Sequence, residues 1–277
     1  MAFDDLVRKS TASGSFYPAD PETLRKQIDG FMESAESLDL HNIKAIISPH
    51  AGYIYSGEIA GYSFKQVEGA KYDSIIIIAP SHAEYFDYAS VYNGDAYETP
   101  LGIVRIDKNR ANALAESSPL VQPSSYGHRD EHSLEVQLPF IQTVFGKDMS
   151  IVPVVIGNQS RENIEELGSI AGELFSDDNI LIIASTDLSH YHPYDTASKL
   201  DEKVSRLIGS FDTSGLMEEF TGDKAEMCGG GPVLAAMMIS AGMGADSSKI
   251  IKYANSGDVS GDRSAVVGYL SAAFYKK

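Results

Sequence analysis

Mostly apolar runs alternate with amphipathic segments along the chain. Three of the runs are rich in isoleucine and span residues 44–47, 74–79 and 180–184. Short β-branched runs of this kind are typical of strands buried on both faces of a parallel sheet. A fourth run covers residues 151–156 and tolerates Pro153 near its start. The pattern therefore predicts a sheet whose strands include these four runs.

The amphipathic segments predict helices between the strands. Asp20 and Pro21 fit the N-cap and first position of a helix that continues to about Met32. Further helices are expected around residues 60–64, 111–114, 162–175, 196–208, 214–220 and 233–239. Residues 84–106 instead predict a hairpin-like excursion, and two strands at 250–254 and 264–270 flank a loop. This alternation indicates an α/β fold, and because no change of composition marks a linker, we expect residues 1–277 to form a single domain.

Charge and cysteine content narrow the classes of function. The chain has 39 acidic and 22 basic residues, a formal net charge of −17, and no cluster of lysine or arginine. An acidic surface repels phosphate backbones and anionic lipid, so we expect no nucleic-acid and no membrane partner. Residues 1–9 lack the apolar core of a signal peptide. Cys228 is the only cysteine, so no intramolecular disulfide can form, and we expect a cytoplasmic protein.

Histidine follows three of the predicted strands at their carboxyl ends. These residues are His50, His82 and His190. Because the carboxyl ends of adjacent parallel strands meet at one edge of a sheet, we expect the three side chains to converge there with Asp187. Such a cluster predicts a metal site or an acid–base site. His192 is an alternative to His190, and Asp187 either orients a histidine or caps the following turn.

A second pair of histidines, His128 and His132, is spaced so that both would share one face of a helix. Zinc-binding pairs have this spacing, but the metalloprotease motif requires glutamate directly after the first histidine, where this chain has Arg129. We therefore expect His132 and Glu131 to lie in the pocket or behind the ligands. His128 is expected to cap a helix or to lie on the surface.

Cys228 directly precedes a glycine-rich segment that opens a predicted helix. The positive end of a helix lowers the pKa of a nearby thiol and favours the thiolate, which is the form that binds metal or attacks a substrate. Cys228 is therefore a candidate site residue. Tyr53 and Tyr55 are close in sequence to His50, so we expect them to line the same site.

Five short motifs together resemble the Memo family, including the Memo-like proteins of archaea and bacteria. In chain order they are Pro49-His50-Ala51-Gly52-Tyr53, Pro80-Ser81-His82, Glu131-His132-Ser133-Leu134-Glu135, Ser185-Thr186-Asp187-Leu188-Ser189-His190 and Met227-Cys228-Gly229. The resemblance covers essentially the whole chain. It implies a three-layer α/β/α sandwich with a central, mainly parallel mixed sheet, as in the class III extradiol dioxygenases.

The resemblance also implies a ligand set. Those dioxygenases hold ferrous iron with two histidines and a glutamate; by position, His50 and His82 match the histidines, and Cys228 stands where the glutamate would be. It implies an iron or copper site in which His190 moves protons with the help of Asp187. The remaining pocket residues are then Tyr53, Glu131, His132 and His192. Ring cleavage is not implied, because a fold does not determine a reaction.

For partners, we expect a small-molecule or peptide ligand in the predicted cleft. Eukaryotic members act in motility signalling with copper-dependent redox activity, and prokaryotic relatives resemble one part of a set that includes a radical SAM protein. Two other functions stay open. One is a metal-free binding module whose cleft is lined by Tyr53, Tyr55 and Tyr85. The other is a Cys–His hydrolase with Cys228 as nucleophile, His190 as base and Asp187 as the group that orients it.

Overall fold

The structure is a computed structural model that describes residues 6–277. Residues 1–5, which begin the segment without a signal-peptide pattern, lie outside it. The strands are β1 (Val7–Arg8), β2 (Ile43–Ser48), β3 (Ser74–Pro80), β4 (Ala89–Tyr92), β5 (Ala96–Thr99), β6 (Gly102–Arg105), β7 (Val121–Ser124), β8 (Ile151–Ile156), β9 (Ile180–Ser185), β10 (His190–His192), β11 (Ser247–Asn255) and β12 (Val266–Tyr275). The helices are α1 (Pro21–Ser34), α2 (Tyr53–Lys65), α3 (Lys108–Ala115), α4 (His132–Glu135), α5 (Leu138–Phe145), α6 (Arg161–Leu174), α7 (Tyr194–Gly209), α8 (Thr213–Thr221), α9 (Gly230–Gly242) and α10 (Ser256–Ser260).

Nine of the strands form one mixed sheet. Its order is β10-β12-β2-β9-β3-β8-β4-β7, and β11 also pairs with β12. The four apolar runs become β2, β9, β3 and β8, which are parallel neighbours at the centre. On either side, β12 is antiparallel to β2 and β4 is antiparallel to β8. The predicted mixed sheet is confirmed: its four central strands are parallel, whereas its outer pairings are antiparallel except that of β4 with β7.

Helices cover this sheet in two layers, which gives the expected α/β/α sandwich. Helices α1, α2 and α5 pack on one another. Helices α6 and α8 both pack on α9, which lies against β9, β3 and β2. The sequence signals for α1 work as predicted: the Asp20 side chain accepts a hydrogen bond from the Thr23 amide at 2.8 Å, and Leu24 and Ile28 are buried. Among residues 6–277, no helix has both the length and the apolar composition needed to cross a membrane.

The excursion at residues 84–106 divides between two sheets. Strand β4 joins the main sheet beside β8, whereas β5 and β6 form an antiparallel hairpin. Strand β1 adds to β5 in parallel, so the hairpin becomes a three-stranded sheet. This small sheet brings Arg8 next to the segment that leads into α4.

Because β2, β9 and β3 are neighbours and run in the same direction, the residues that follow them meet at one edge of the sheet. His50, His82 and Asp187 all follow these strands by a few residues. The expected convergence is therefore present for these three residues, whereas His190 is the first residue of β10 at the edge of the sheet. At the other end of the chain, the predicted loop between the last two strands contains the short helix α10.

Candidate metal centre

Three histidine rings, from His50, His82 and His132, form a cluster. One ring nitrogen from each lies within 4.8 Å of the others. The ring centroids are 5.2 Å apart for His50 and His82, 5.6 Å for His50 and His132, and 4.8 Å for His82 and His132. His50 is buried, whereas the side chain of His82 is 34% exposed. The cluster thus has a closed side toward the core and an open side toward solvent.

The His50 ring is fixed by Ser185, the last residue of β9. Its Nδ1 lies 3.0 Å from the Ser185 hydroxyl, and that hydroxyl donates its own proton to the carbonyl oxygen of Ser133 at 2.6 Å. The hydroxyl must therefore accept from Nδ1–H, which leaves Nε2 of His50 with a free lone pair. Burial also lowers the pKa of His50 well below its usual value, so the ring is neutral.

The His82 ring is fixed by Glu131, whose carboxylate accepts from Nδ1 at 2.9 Å and from the His82 amide at 2.5 Å. Burial would raise the pKa of Glu131, but these bonds and one from the Ser133 amide outweigh it and lower the pKa to about 2. Because an ionised carboxylate can only accept, Nδ1 of His82 carries a proton, and Nε2 is the ring nitrogen that the carboxylate does not hold. A carboxylate behind an imidazole is the arrangement that orients metal ligands.

His132 completes the cluster as the first residue of α4. Its ring stacks on Phe16 with centroids 4.3 Å apart and an interplanar angle of 25°. Its Nδ1 lies 3.4 Å from the Glu131 carboxylate, and burial lowers its pKa to about 4. The expectation for His132 was a pocket residue, and the geometry makes it a candidate ligand as well.

Cys228 lies beside the cluster, two residues before α9. Its Sγ is 3.1 Å from Nε2 of His50 and accepts from the Asp187 amide at 3.2 Å. Since Nε2 of His50 is an acceptor, the thiol donates to it. Burial and the nearby Asp187 raise the pKa of the Cys228 thiol far above its usual value. The expectation that the helix end would lower this pKa is wrong for the metal-free protein, because the loss of hydration outweighs the helix dipole.

Asp187 contacts backbone and not an imidazole. Its carboxylate accepts from the His50 amide at 2.8 Å, and burial raises its pKa to about 7 despite the bonds from the His50 and Ala51 amides. The expected role of Asp187 in orienting a histidine ring is therefore replaced by a role in fixing the backbone that carries His50.

His190 and His192 flank the cluster without joining it. Nδ1 of His190 donates to the Leu188 carbonyl at 2.8 Å, so its Nε2 is free, and burial lowers its pKa. Nε2 of His192 lies 2.7 Å from the Glu226 carboxylate. Of the two, His190 is the one that lines the cavity next to the cluster.

That cavity has a volume of about 770 Å³, a size typical of small-molecule sites. Its lining includes His82, Gln159, Arg161, Leu188, His190, Tyr191, Phe220, Glu226 and Cys228. The tyrosines expected to line it, Tyr53, Tyr55 and Tyr85, are not among its walls. Tyr53 is buried at the start of α2, where its hydroxyl donates to the Val136 carbonyl at 2.6 Å. At this position in α2, the Tyr53 side chain lies in the core and does not line the cavity.

His128 does not share a helical face with His132, because α4 begins only at His132. The prediction of a capping or surface residue is also wrong, since His128 is 1% exposed. The Tyr97 hydroxyl donates to its Nδ1 at 2.7 Å, and Nε2–H donates to the Ser90 carbonyl at 3.1 Å. Burial lowers its pKa to about 3.

Sequence reasoning missed Ser185 as the partner of His50. It also missed Gln137, whose side-chain amide donates to Ser185 at 2.9 Å. Ser185 is a polar residue at the end of an otherwise apolar strand, and this pattern could have identified it as a site residue.

Comparison with known proteins identifies the family. The model of the family described as "Memo-like protein" matches residues 8–273 of this chain, and all three clustered histidines lie within that range. The chain belongs to the Memo family. MEMO1 family proteins of Methanopyrus kandleri and Methanosarcina barkeri are 38% and 37% identical to it. The matches cover 97% and 95% of this chain and 99% and 98% of those proteins.

A solved structure gives the same fold at low sequence identity. The crystal structure of an uncharacterized protein from Escherichia coli K12 matches 83% of this Memo-family chain and 99% of its own, with a TM-score of 0.54 and 14% identity. At that identity the similarity concerns the fold alone. Family and fold are therefore as predicted, whereas the ligand set His50, His82 and Cys228 stays a prediction.

Proposed function

We propose that this protein binds one transition metal ion, iron or copper, through His50, His82 and Cys228, and acts as a redox enzyme. The observation that carries the proposal is the cluster of ring nitrogens within 4.8 Å of one another. The Nδ1 atoms of His50 and His82 are each held by an acceptor, so each ring would bind a metal through Nε2, and the Cys228 thiol that donates to Nε2 of His50 would lose its proton on becoming a ligand. Imidazole and thiolate donors suit iron and copper better than magnesium or calcium.

Two side chains are positioned to supply the third ligand. Cys228 already contacts Nε2 of His50 at 3.1 Å, and His132 belongs to the cluster of rings. We propose Cys228, as the resemblance implies, with His132 beside it. A thiol ligand also suits a reducing compartment, in agreement with a cytoplasmic location.

When bound, an iron or copper ion supplies Lewis acidity and one-electron redox chemistry. The chain's own residues supply position and proton transfer. His190 lines the cavity with a free Nε2, and its lowered pKa keeps it ready to accept a proton from a bound molecule. Asp187 holds the backbone of His50 in place. We further propose a small molecule or peptide as the ligand of the cavity, and a radical SAM protein as a functional partner.

The test counts metal ions and protons together. The anaerobic protein is titrated with Fe(II) or copper at neutral pH, and the protons released are measured. Because the metal-free thiol is protonated and a metal-bound thiol is not, wild type should release one proton more per ion than Cys228→Ser. Equal proton release, with metal lost in His132→Ala, would make His132 the third ligand.

The control for removing one imidazole is His41→Ala, whose side chain is 76% exposed. It should bind as wild type does. Wild-type metal content in both His50→Ala and His82→Ala would refute the proposal.

A metal-free Cys–His hydrolase is the second candidate, because the Cys228 thiol lies 3.1 Å from a histidine nitrogen. The base would then be His50, and not His190 as the sequence suggested. The raised thiol pKa opposes this function, since a nucleophilic cysteine needs an accessible thiolate. We expect iodoacetamide to alkylate Cys228 in the metal-free protein more slowly than it alkylates glutathione at pH 8. Faster alkylation would favour the hydrolase.

A further inference from the structure

A buried ion pair between Arg8 and Glu135 lies behind the candidate metal centre and has no part in the function proposed above. Arg8 is 7% exposed and Glu135 is fully buried, and a guanidinium nitrogen of Arg8 contacts the Glu135 carboxylate directly. Glu135 ends the Glu131–Glu135 motif that helped to identify the family. Its burial requires an explanation, because isolated buried charges are strongly unfavourable.

Arg8 also holds the backbone of the segment that carries Glu131. Its Nε donates to the carbonyl oxygen of His128 at 2.8 Å, and its Nη2 donates to the carbonyl oxygen of Glu131 at 2.8 Å. Because the guanidinium is planar and rigid, its contacts fix these two carbonyls relative to Glu135. The side chain of Glu131 is the one that orients His82.

Glu135 in turn holds the segment of residues 10–17. Its carboxylate accepts from the amides of Thr11 and Ala12, both at 3.0 Å, and from the hydroxyl of Ser10 at 2.9 Å. The Tyr17 hydroxyl donates to the same group. Between these contacts lies Phe16, whose ring stacks on His132. Residues 8–17 are therefore anchored at both ends beside two of the three clustered histidines.

We infer that Arg8 and Glu135 are positioning residues for the metal centre. Through the Glu131 carbonyl, Arg8 keeps the Glu131 carboxylate where it holds Nδ1–H of His82. Through residues 10–17, Glu135 keeps Phe16 against His132. The effect on metal affinity rests on the proposed function, whereas the effect on the His82 tautomer does not.

The two test variants separate charge from geometry. Arg8→Lys keeps the positive charge near Glu135 but cannot reach all of the acceptors, because an ammonium lacks the planar fork. The double variant Arg8→Met/Glu135→Gln removes both buried charges together, so neither is left without a partner. The matched control is Arg110→Ala, which removes an arginine bound to Asp107 and Asp178 at 2.8 and 2.7 Å in another part of the fold.

The first readout is the affinity for Co(II), whose absorption spectrum reports its ligands. We expect both Arg8 variants to raise the Kd by about tenfold or more, as for other groups behind metal ligands, and to change the spectrum. Arg110→Ala should lower the melting temperature without changing the Kd. An equal rise of the Kd in Arg110→Ala would overturn the inference, because general loss of stability would then explain it.

The second readout needs no metal. Nitrogen-15 NMR of the imidazole of His82 should show the single Nδ1–H tautomer in wild type and a mixture of tautomers in both Arg8 variants. Folded variants with the wild-type tautomer and the wild-type Kd would overturn the inference. If wild type binds no Co(II), the proposed function fails, and the tautomer alone decides whether Arg8 and Glu135 position His82.

Discussion

His128 should make the stability of the folded protein fall steeply in mild acid. Burial lowers its pKa from 6.5 to about 3, although its bond to the Ser90 carbonyl acts in the other direction. The unfolded chain therefore binds the proton first as the pH falls. The contribution of His128 to the free energy of unfolding is complete above pH 6.5, declines by about 1.4 kcal/mol per pH unit below it and levels off near pH 3. From pH 6.5 to pH 4 the loss amounts to about 3 kcal/mol.

The measurement is urea unfolding followed by circular dichroism at pH 7 and pH 4 in wild type and His128→Gln. A glutamine amide can still donate to Ser90 and accept from Tyr97, but it does not titrate. Wild type should lose about 3 kcal/mol more than His128→Gln between the two pH values. The control His41→Gln, which replaces an exposed histidine, should keep the wild-type loss. Equal losses in wild type and His128→Gln would refute the reasoning.

Three further predictions concern single side chains. Gly229→Ala would place a Cβ 2.3 Å from the Ser185 carbonyl oxygen. We expect this clash to lower the free energy of unfolding by about 1–3 kcal/mol and to reduce the metal content of the protein. An unchanged urea midpoint together with unchanged metal content would contradict this prediction. The Cβ that Gly30→Ala adds within α1 would have no atom within 4 Å. Because alanine loses less conformational freedom than glycine in a helix, this change should raise the free energy of unfolding by about 0.5–1 kcal/mol in the same assay. A lower urea midpoint would show that the added methyl group does not fit. Glu131→Gln should weaken metal binding about 10–100-fold by calorimetry, since the orienting carboxylate of His82 is lost, and wild-type affinity would disprove that role.

The sheet and two of the three clustered histidines could be predicted from the sequence because both follow from local patterns. Runs such as 74–79 and 180–184 are too apolar and too short for anything except strands buried on both faces. Once those strands are parallel neighbours, the histidines after β2 and β3 must meet at one edge. The proximity of His50 and His82 therefore follows from the order and direction of the strands.

The remaining features depend on pairs of residues that are far apart in sequence. Arg8 and Glu135 are separated by 127 positions, and no periodicity relates them. His128 stands at the start of a predicted helix, which favours a capping or surface position, yet Tyr97 of the small β1-β5-β6 sheet covers it. Tyr53 was predicted to line the site because it is close to His50 in sequence, but its side chain packs in the core.

The position of β2 in the sheet has a consequence for the order of events during synthesis. Its neighbours come much later in the chain, since Ala45 pairs with Ile182 and Ile47 pairs with Ala272. At about 5–20 residues per second, this apolar strand is synthesised roughly 7–27 seconds before its neighbour β9. Until then it lacks its partners in the sheet, and an unpaired apolar strand is a site where chains can aggregate. A ribosome-bound chain that ends before residue 228 also lacks the cysteine of the candidate centre, so that centre is assembled only after most of the chain has been made.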